Sequence, residues 1–199
     1  MKGTLPGIFD DESFDKENLV SFGKQMKNVY HLWLIDDVGD AKLYLKWFDI
    51  LQSAGEDDLV VIHINSPGGY IDTAVQLISQ IKLSDAQVIC QIESACCSAA
   101  TLIALSCQGL ACYPHAYMMI HTSSGCSFGK QSDIRRQEAF YNTWLDNLFK
   151  DIYKDFLTGK EIDSVLNGND IWLTSDEITE RFRHKVEIMN REHAKIHKK

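Results

Sequence analysis

Residues 59–65 read LVVIHIN, and SPGG at 66–69 ends the run. A continuous apolar stretch of that length, closed by a breaker, is the pattern of a strand buried on both faces of a parallel sheet. Helical spacing follows at once in DTAVQLISQIK (72–82), with Asp72 a candidate N-cap. The same alternation runs along the chain. NVYHLWLID (28–36) mixes β-branched and aromatic residues as a strand does, and DAKLYLKWFDILQSAG (40–55) carries apolar residues at helical spacing up to Gly55, a candidate C-cap. QVICQI (87–92) predicts another buried strand, CCSAATLIALS (96–106) a helix of small residues, and ACYPHAYMMIH (111–121) one more strand. Residues 131–157 form the longest amphipathic segment, with apolar side chains at 134, 140, 144, 145, 148, 149, 152, 153 and 156. Strands alternating with helices predict an α/β fold with parallel strands, whose ligand sites lie beyond the carboxyl ends of the strands.

Composition narrows the function classes. At 199 residues the chain is long enough for one domain, taken as 1–199, with a large buried core. Its 28 acidic against 20 basic residues give a net charge of -8, and FDDESFDKEN (9–18) concentrates the acids early, the opposite of a nucleic-acid binder. The closing stretch RFRHKVEIMNREHAKIHKK is basic and reads as a solvated helix or frayed tail. Six cysteines, at 90, 96, 97, 107, 112 and 126, are not needed as staples in a chain of this size. MKGTLPGIFDDESF shows no apolar leader core, so reduced thiols in a cytoplasm are expected. Residues 94–114 lack charge but contain too many polar positions for a membrane span.

Two strand ends carry the candidate chemistry. INSPGG (64–69) puts two glycines after a strand and before a helix, where backbone N–H groups can face a cavity and suit an oxyanion. IESACC (92–97) leads into Ser98, expected in the first turn of a helix, where unpaired N–H groups favour developing negative charge. His121 ends the strand YMMIH on the same side of a parallel sheet, and Asp170 stands in NGNDIWLTSDE before a strand-to-helix turn. Ser98, His121 and Asp170 thus make one candidate nucleophile, base and orienter, among the many such triples a chain of this length holds. Cys97 is a rival nucleophile, since a helix N-terminus lowers a thiol pKa, although one residue of helix rotation separates it from Ser98. Cys107, Cys112 and His115 form C-x4-C-x2-H without an apparent fourth zinc ligand, and no metal is expected. The remaining histidines (31, 63, 115, 184, 193 and 197) read as core or surface residues, and Met118 and Met119 as sheet packing.

Taken in order, INSPGG, A-x-x-S-A-A, Y-P-x-A-x-M-M-I-H and N-D-I-W-L-T-S-D-E-I resemble the proteolytic subunit of the Clp proteases, with the match running from about residue 28 to 185. The resemblance implies a crotonase-like fold with a protruding handle helix in 131–157. It implies Ser98 as nucleophile, His121 as general base, Asp170 as its orienter, and the N–H groups of Gly69 and Ala99 as oxyanion hole. It implies a serine endopeptidase of unfolded polypeptides, working without a cofactor in a homo-oligomer of two stacked heptameric rings. An ATP-driven (AAA+) unfoldase would be a separate partner, because the chain has no GKS or GKT loop. Residues 1–27 would form a pore segment and 186–199 a basic tail.

Four departures stand out. Cys96 and Cys97 replace two alanines, and Ser94 replaces the glycine that opens the serine motif, so a tight turn there would be strained. HTSSG follows the histidine in place of H-Q-P, and Asn169 stands where the family often has an arginine that couples the rings. Other readings of the same residues are an acyl-CoA hydratase or isomerase on this fold, a phage prohead protease, and an inactive ring subunit paired with an active paralogue.

Overall fold

The computed structural model describes residues 26–122 and 130–196. Nearly all of the expected pore segment, Cys126 and the SSG after Thr122 lie outside the described residues.

Four parallel strands start the sheet: β1 (Val29–Ile35), β2 (Leu59–Ser66), β3 (Gln87–Cys97) and β4 (Gly109–Cys112). β5 (Tyr117–Ile120) and β6 (Ile171–Thr174) complete it, in the order β1-β2-β3-β5-β6 with β4 pairing only with β3. The expected parallel pairing holds among β1 to β5, and β6 at the end of the sheet runs antiparallel to β5. The segment 111–121, expected as one strand, is two, divided at Tyr113–Ala116 where His115 takes a left-handed φ of 69°. The division lets β3 serve two partners. Its residues 89–92 pair with β4, and residues 95–97 pair with β5.

Period-two alternation sorts the strands into two faces. Leu32, Leu34, Val60, Ile62, Ile64, Val88, Cys90 and Ile92 point into a continuous core. Over that face lie α1 (Leu45–Ser53), α2 (Ile71–Leu83) and α3 (Ala99–Leu105), while a short 3-10 turn at Ala41–Tyr44 leads into α1. The other face carries a small cluster of Leu59, Val61 and Ile89. β2 is therefore buried on both sides, as its unbroken apolar run requires.

Helix boundaries differ from expectation for physical reasons. α1 stops at Ser53 with Ala54 at the cap, and Gly55 keeps a negative φ while its N–H donates to Asp58 Oδ2 at 3.0 Å. Tyr70, not Asp72, is the N-cap residue of α2, and Asp72 sits inside the first turn near the helix dipole. Cys96 and Cys97 belong to the extended strand β3 rather than to a helix.

α4 (Gln131–Tyr153) is the long amphipathic helix. Its first half projects, with Phe140 72% exposed, and its second half buries Leu145, Phe149, Ile152 and Tyr153 against the core. After it come α5 (Gly159–Leu166), which had no strong apolar run to announce it, and α6 (Ser175–Ile196), which extends through most of the expected basic tail. α5 begins with a capping box, in which Thr158 and Glu161 satisfy each other's backbone N–H groups. Arg181 of α6 then clasps Glu161 through two N–H···O bonds, at 3.1 and 2.8 Å. Lys185 donates to the carbonyls of Leu105 and Ile152, tying α6 to the last turns of α3 and α4.

Candidate active site

The site forms where β3 gives way to α3. Ser98 sits at that junction as the N-cap of α3, not within its first turn, with φ 53° and ψ -126°. Those angles belong to the first central residue of a type II′ turn, a position glycine favours, so a serine there costs on the order of 1–3 kcal/mol. The sharp strand-to-helix turn lifts the side chain out of the core into a cleft of about 1070 Å³. Strain is therefore at Ser98 and not at Ser94, which lies in the extended strand β3.

Gly68 packs directly on that turn, and Gly69 packs on the Val38 backbone. Gly68 has φ 98°, and a methyl group added to it would come within 2.6 Å of both the Cys97 carbonyl oxygen and Ser98 Cβ, and 3.0 Å from the Ala99 nitrogen. Only glycine fits. From outside, the Val38 N–H donates to the Gly68 carbonyl at 2.7 Å and the Tyr70 N–H donates to the Val38 carbonyl at 2.8 Å. A parallel bridge of this kind uses the groups on either side of Gly69 and leaves the Gly69 N–H turned away from Val38. Ala99, as first residue of α3, has an amide that no helix carbonyl takes. Gly69 and Ala99 both line the cleft with Ser98.

His121 reaches the same cleft from β5. β3 and β5 are adjacent, the Ser98 N–H donates to the Met119 carbonyl at 2.8 Å, and His121 follows two residues later. The antiparallel register of β5 on β6 pairs Ile120 with Ile171, so one further step sets His121 opposite Asp170. Asp170 is exposed and is not among the residues that line the cleft. Among the described residues no hydrogen bond joins Ser98 Oγ to His121 or His121 to Asp170, so Ser98 and His121 share the cleft without being clasped.

The rest of the cleft has a definite chemistry. Leu102, Met119 and Phe149 give an apolar wall, whereas Asp37, Asp40, Asp72 and Glu138 give it negative charge, with no lysine or arginine among the described lining residues. Met119 is therefore a cleft residue as well as a sheet residue, which strand periodicity alone did not reveal.

A model of the Clp protease family matches residues 18–181. This chain belongs to the Clp protease family. Among curated relatives, the ATP-dependent Clp protease proteolytic subunit of Carsonella ruddii (strain PV) is 30% identical over 135 residues, covering 65% of this chain and 68% of that protein. The ATP-dependent Clp protease proteolytic subunit 1 of Salinibacter ruber (strain DSM 13855 / M31) is 31% identical over 134 residues, covering 65% of this chain and 57% of that protein. The parallel-dominated α/β sheet is the fold of this Clp protease family, as expected from the crotonase-like resemblance.

Within this Clp-family chain, Cys97 is almost fully buried in β3, lies off the cleft wall, and has its thiol pushed up by that burial, so it is a poor thiolate. Cys90, Cys96, Cys107 and Cys112 are also free thiols raised by burial, with Cys107 and Cys112 at about 12. No group of three potential metal ligands assembles among the described residues. Also among them, no helix is long and apolar enough to cross a membrane. His63 is buried, hydrogen-bonded to Glu93 and His31 at 2.8 Å each and stacked on Trp33, a satisfied packing role. His115 and His184 are exposed. Asn169 uses both its backbone N–H and its side-chain amide on the Ser164 carbonyl, closing the end of α5.

Proposed function

We propose that this chain is a serine endopeptidase, the proteolytic subunit of a Clp-type protease, with Ser98, His121 and Asp170 as its triad. The observation that carries the reading is Ser98 held at a reversed φ in the cleft that also contains His121 and the Gly68–Gly69 turn. In this reading Ser98 Oγ attacks the scissile carbonyl carbon while His121 takes its proton. The oxyanion is received by the N–H groups of Gly69 and Ala99. Collapse expels the amine, to which His121 returns the proton, and leaves an ester on Ser98. Water, deprotonated by His121, then attacks the ester, and collapse breaks the bond to Ser98 Oγ, which takes the proton back from His121 as the acid is released. Asp170 holds the imidazole in the tautomer that faces Ser98. The unmade triad contacts tighten on substrate binding, as catalytic hydrogen bonds often do.

The apolar wall of Leu102, Met119 and Phe149 suits an apolar side chain beside the scissile bond. Exposed Trp33, Ile35, Tyr70 and Phe140 support assembly into stacked rings, where such surfaces are covered. An ATP-driven unfoldase would feed unfolded chains to those rings. The test is size measurement in solution with peptide hydrolysis assayed on the same fractions. A large complex that hydrolyses peptide, with Ser98→Ala and His121→Ala each down by at least 10³-fold, is the expected result. An assembled but inert wild type instead supports an inactive ring subunit, a reading favoured only by the unclasped triad.

A further inference from the structure

The Ser98 carbonyl is gripped from inside the core. It accepts hydrogen bonds from the Thr101 N–H at 2.9 Å and the Thr101 hydroxyl at 2.7 Å. Behind Thr101 Oγ1, at 2.6 Å, stands the hydroxyl of Tyr153 from the last turn of α4. Thr101 spends its one hydroxyl proton on a carbonyl that only accepts, so the Tyr153 O–H is the donor to Thr101. Burial pushes the phenol pKa up, which keeps that proton in place. Thr101 is 0% and Tyr153 1% exposed, so no bulk water replaces either hydroxyl.

The grip matters because the peptide between Ser98 and Ala99 is planar and trans, with its C=O and N–H pointing opposite ways. Fixing the Ser98 carbonyl aims the Ala99 N–H. The alternative orientation of this peptide is the turned-over one. A rotation of about 180° would carry ψ of Ser98 from -126° into the left-handed helical region, where a residue at φ 53° rests at lower cost, while taking φ of Ala99 to positive values. That rotation would swing the carbonyl toward the cleft and the Ala99 N–H away from it.

We propose that Thr101 and Tyr153 are positioning residues of the oxyanion hole: their paired hydroxyls hold the Ser98–Ala99 peptide in the orientation that directs the Ala99 N–H into the cleft. The proposal rests on the serine-peptidase reading above. It adds a role to the buried end of α4, whose other end projects from the molecule.

The experiment measures peptide hydrolysis and the affinity of a peptide boronate, whose tetrahedral oxygen occupies the oxyanion hole, on full-length wild type, Thr101→Val, Thr101→Ser and Tyr153→Phe. Loss of an oxyanion donor outright lowers kcat about 10²–10³-fold, and loosening one should lower it about tenfold. We expect that drop in kcat with KM unchanged in Thr101→Val and Tyr153→Phe, an equal loss of boronate affinity, and recovery in Thr101→Ser. Tyr153→Phe keeps its ring, so it decides the matter if Thr101→Val does not fold. Melting temperatures that fall while kcat and boronate affinity hold within twofold would overturn the proposal and leave the peptidase reading intact. A folded wild type that neither hydrolyses peptide nor binds the boronate would overturn both.

Discussion

At the scale of single residues, the site depends on backbone positions more than on side-chain identity. Ser98 sits where glycine is favoured and Gly68 where nothing larger fits, and the two are in contact. Gly68→Ala therefore meets the Ser98 turn at 2.6 Å and strains a φ of 98° as well. We expect a stability loss of about 1–3 kcal/mol, read by urea unfolding. Turnover of the folded variant should fall at least tenfold, because the Ala99 amide and the Ser98 side chain are displaced together. Unchanged turnover would mean that the glycine turn is not part of the reacting site. That positions 98, 121 and 170 flank strands was legible in the sequence. The reversed φ of Ser98 was not, since nothing in A-C-C-S-A-A announces a left-handed turn. Nor was the Thr101–Tyr153 contact, which spans 52 positions of sequence.

At the scale of elements, β1, β2 and α2 were legible from hydrophobic period, and the misjudged boundaries share a cause. Where the chain turns by local hydrogen bonding, as at Tyr113–Ala116, or where a strand runs on through small residues, as at Cys96 and Cys97, apolar pattern gives no boundary. α5 was missed because its stability comes from a capping box and from Arg181 rather than from an apolar stripe. That origin makes it sensitive to acid. The Arg181 guanidinium and the Thr158 hydrogen bonds hold Glu161 down to about 2 from its usual 4.5. The folded state thus releases the proton more readily than the unfolded chain. Its stabilisation is full above pH 4.5 and is lost as pH falls toward 2. Screening of this partly exposed pair keeps the contribution to about 1 kcal/mol. Glu161→Gln should lower stability by that amount at pH 7 and by much less near pH 2.5, in denaturant titrations at the two pH values. An equal loss at both would assign the effect to packing.

At the scale of the whole molecule, the sheet order brings distant segments to one cleft: β3 delivers Ser98, the loop after β2 delivers the glycines, and β5 delivers His121, while the register of β5 on antiparallel β6 sets Asp170 outside the cleft lining and opposite His121. The order of strands and breakers was legible in the sequence, whereas the antiparallel turn of β6, which sets the register between residues 121 and 170, was visible only in three dimensions. Exposed apolar residues on β1 and the projecting half of α4 fit a subunit whose faces are shared with other copies. The most direct measurement is the location of the covalent adduct formed by a fluorophosphonate on the assembled wild-type protein, mapped by peptide mass spectrometry. A single adduct on Ser98, absent from Ser98→Ala and slowed at least 10²-fold in His121→Ala, is the predicted result. An adduct on another residue, or labelling that persists undiminished in Ser98→Ala, would contradict it.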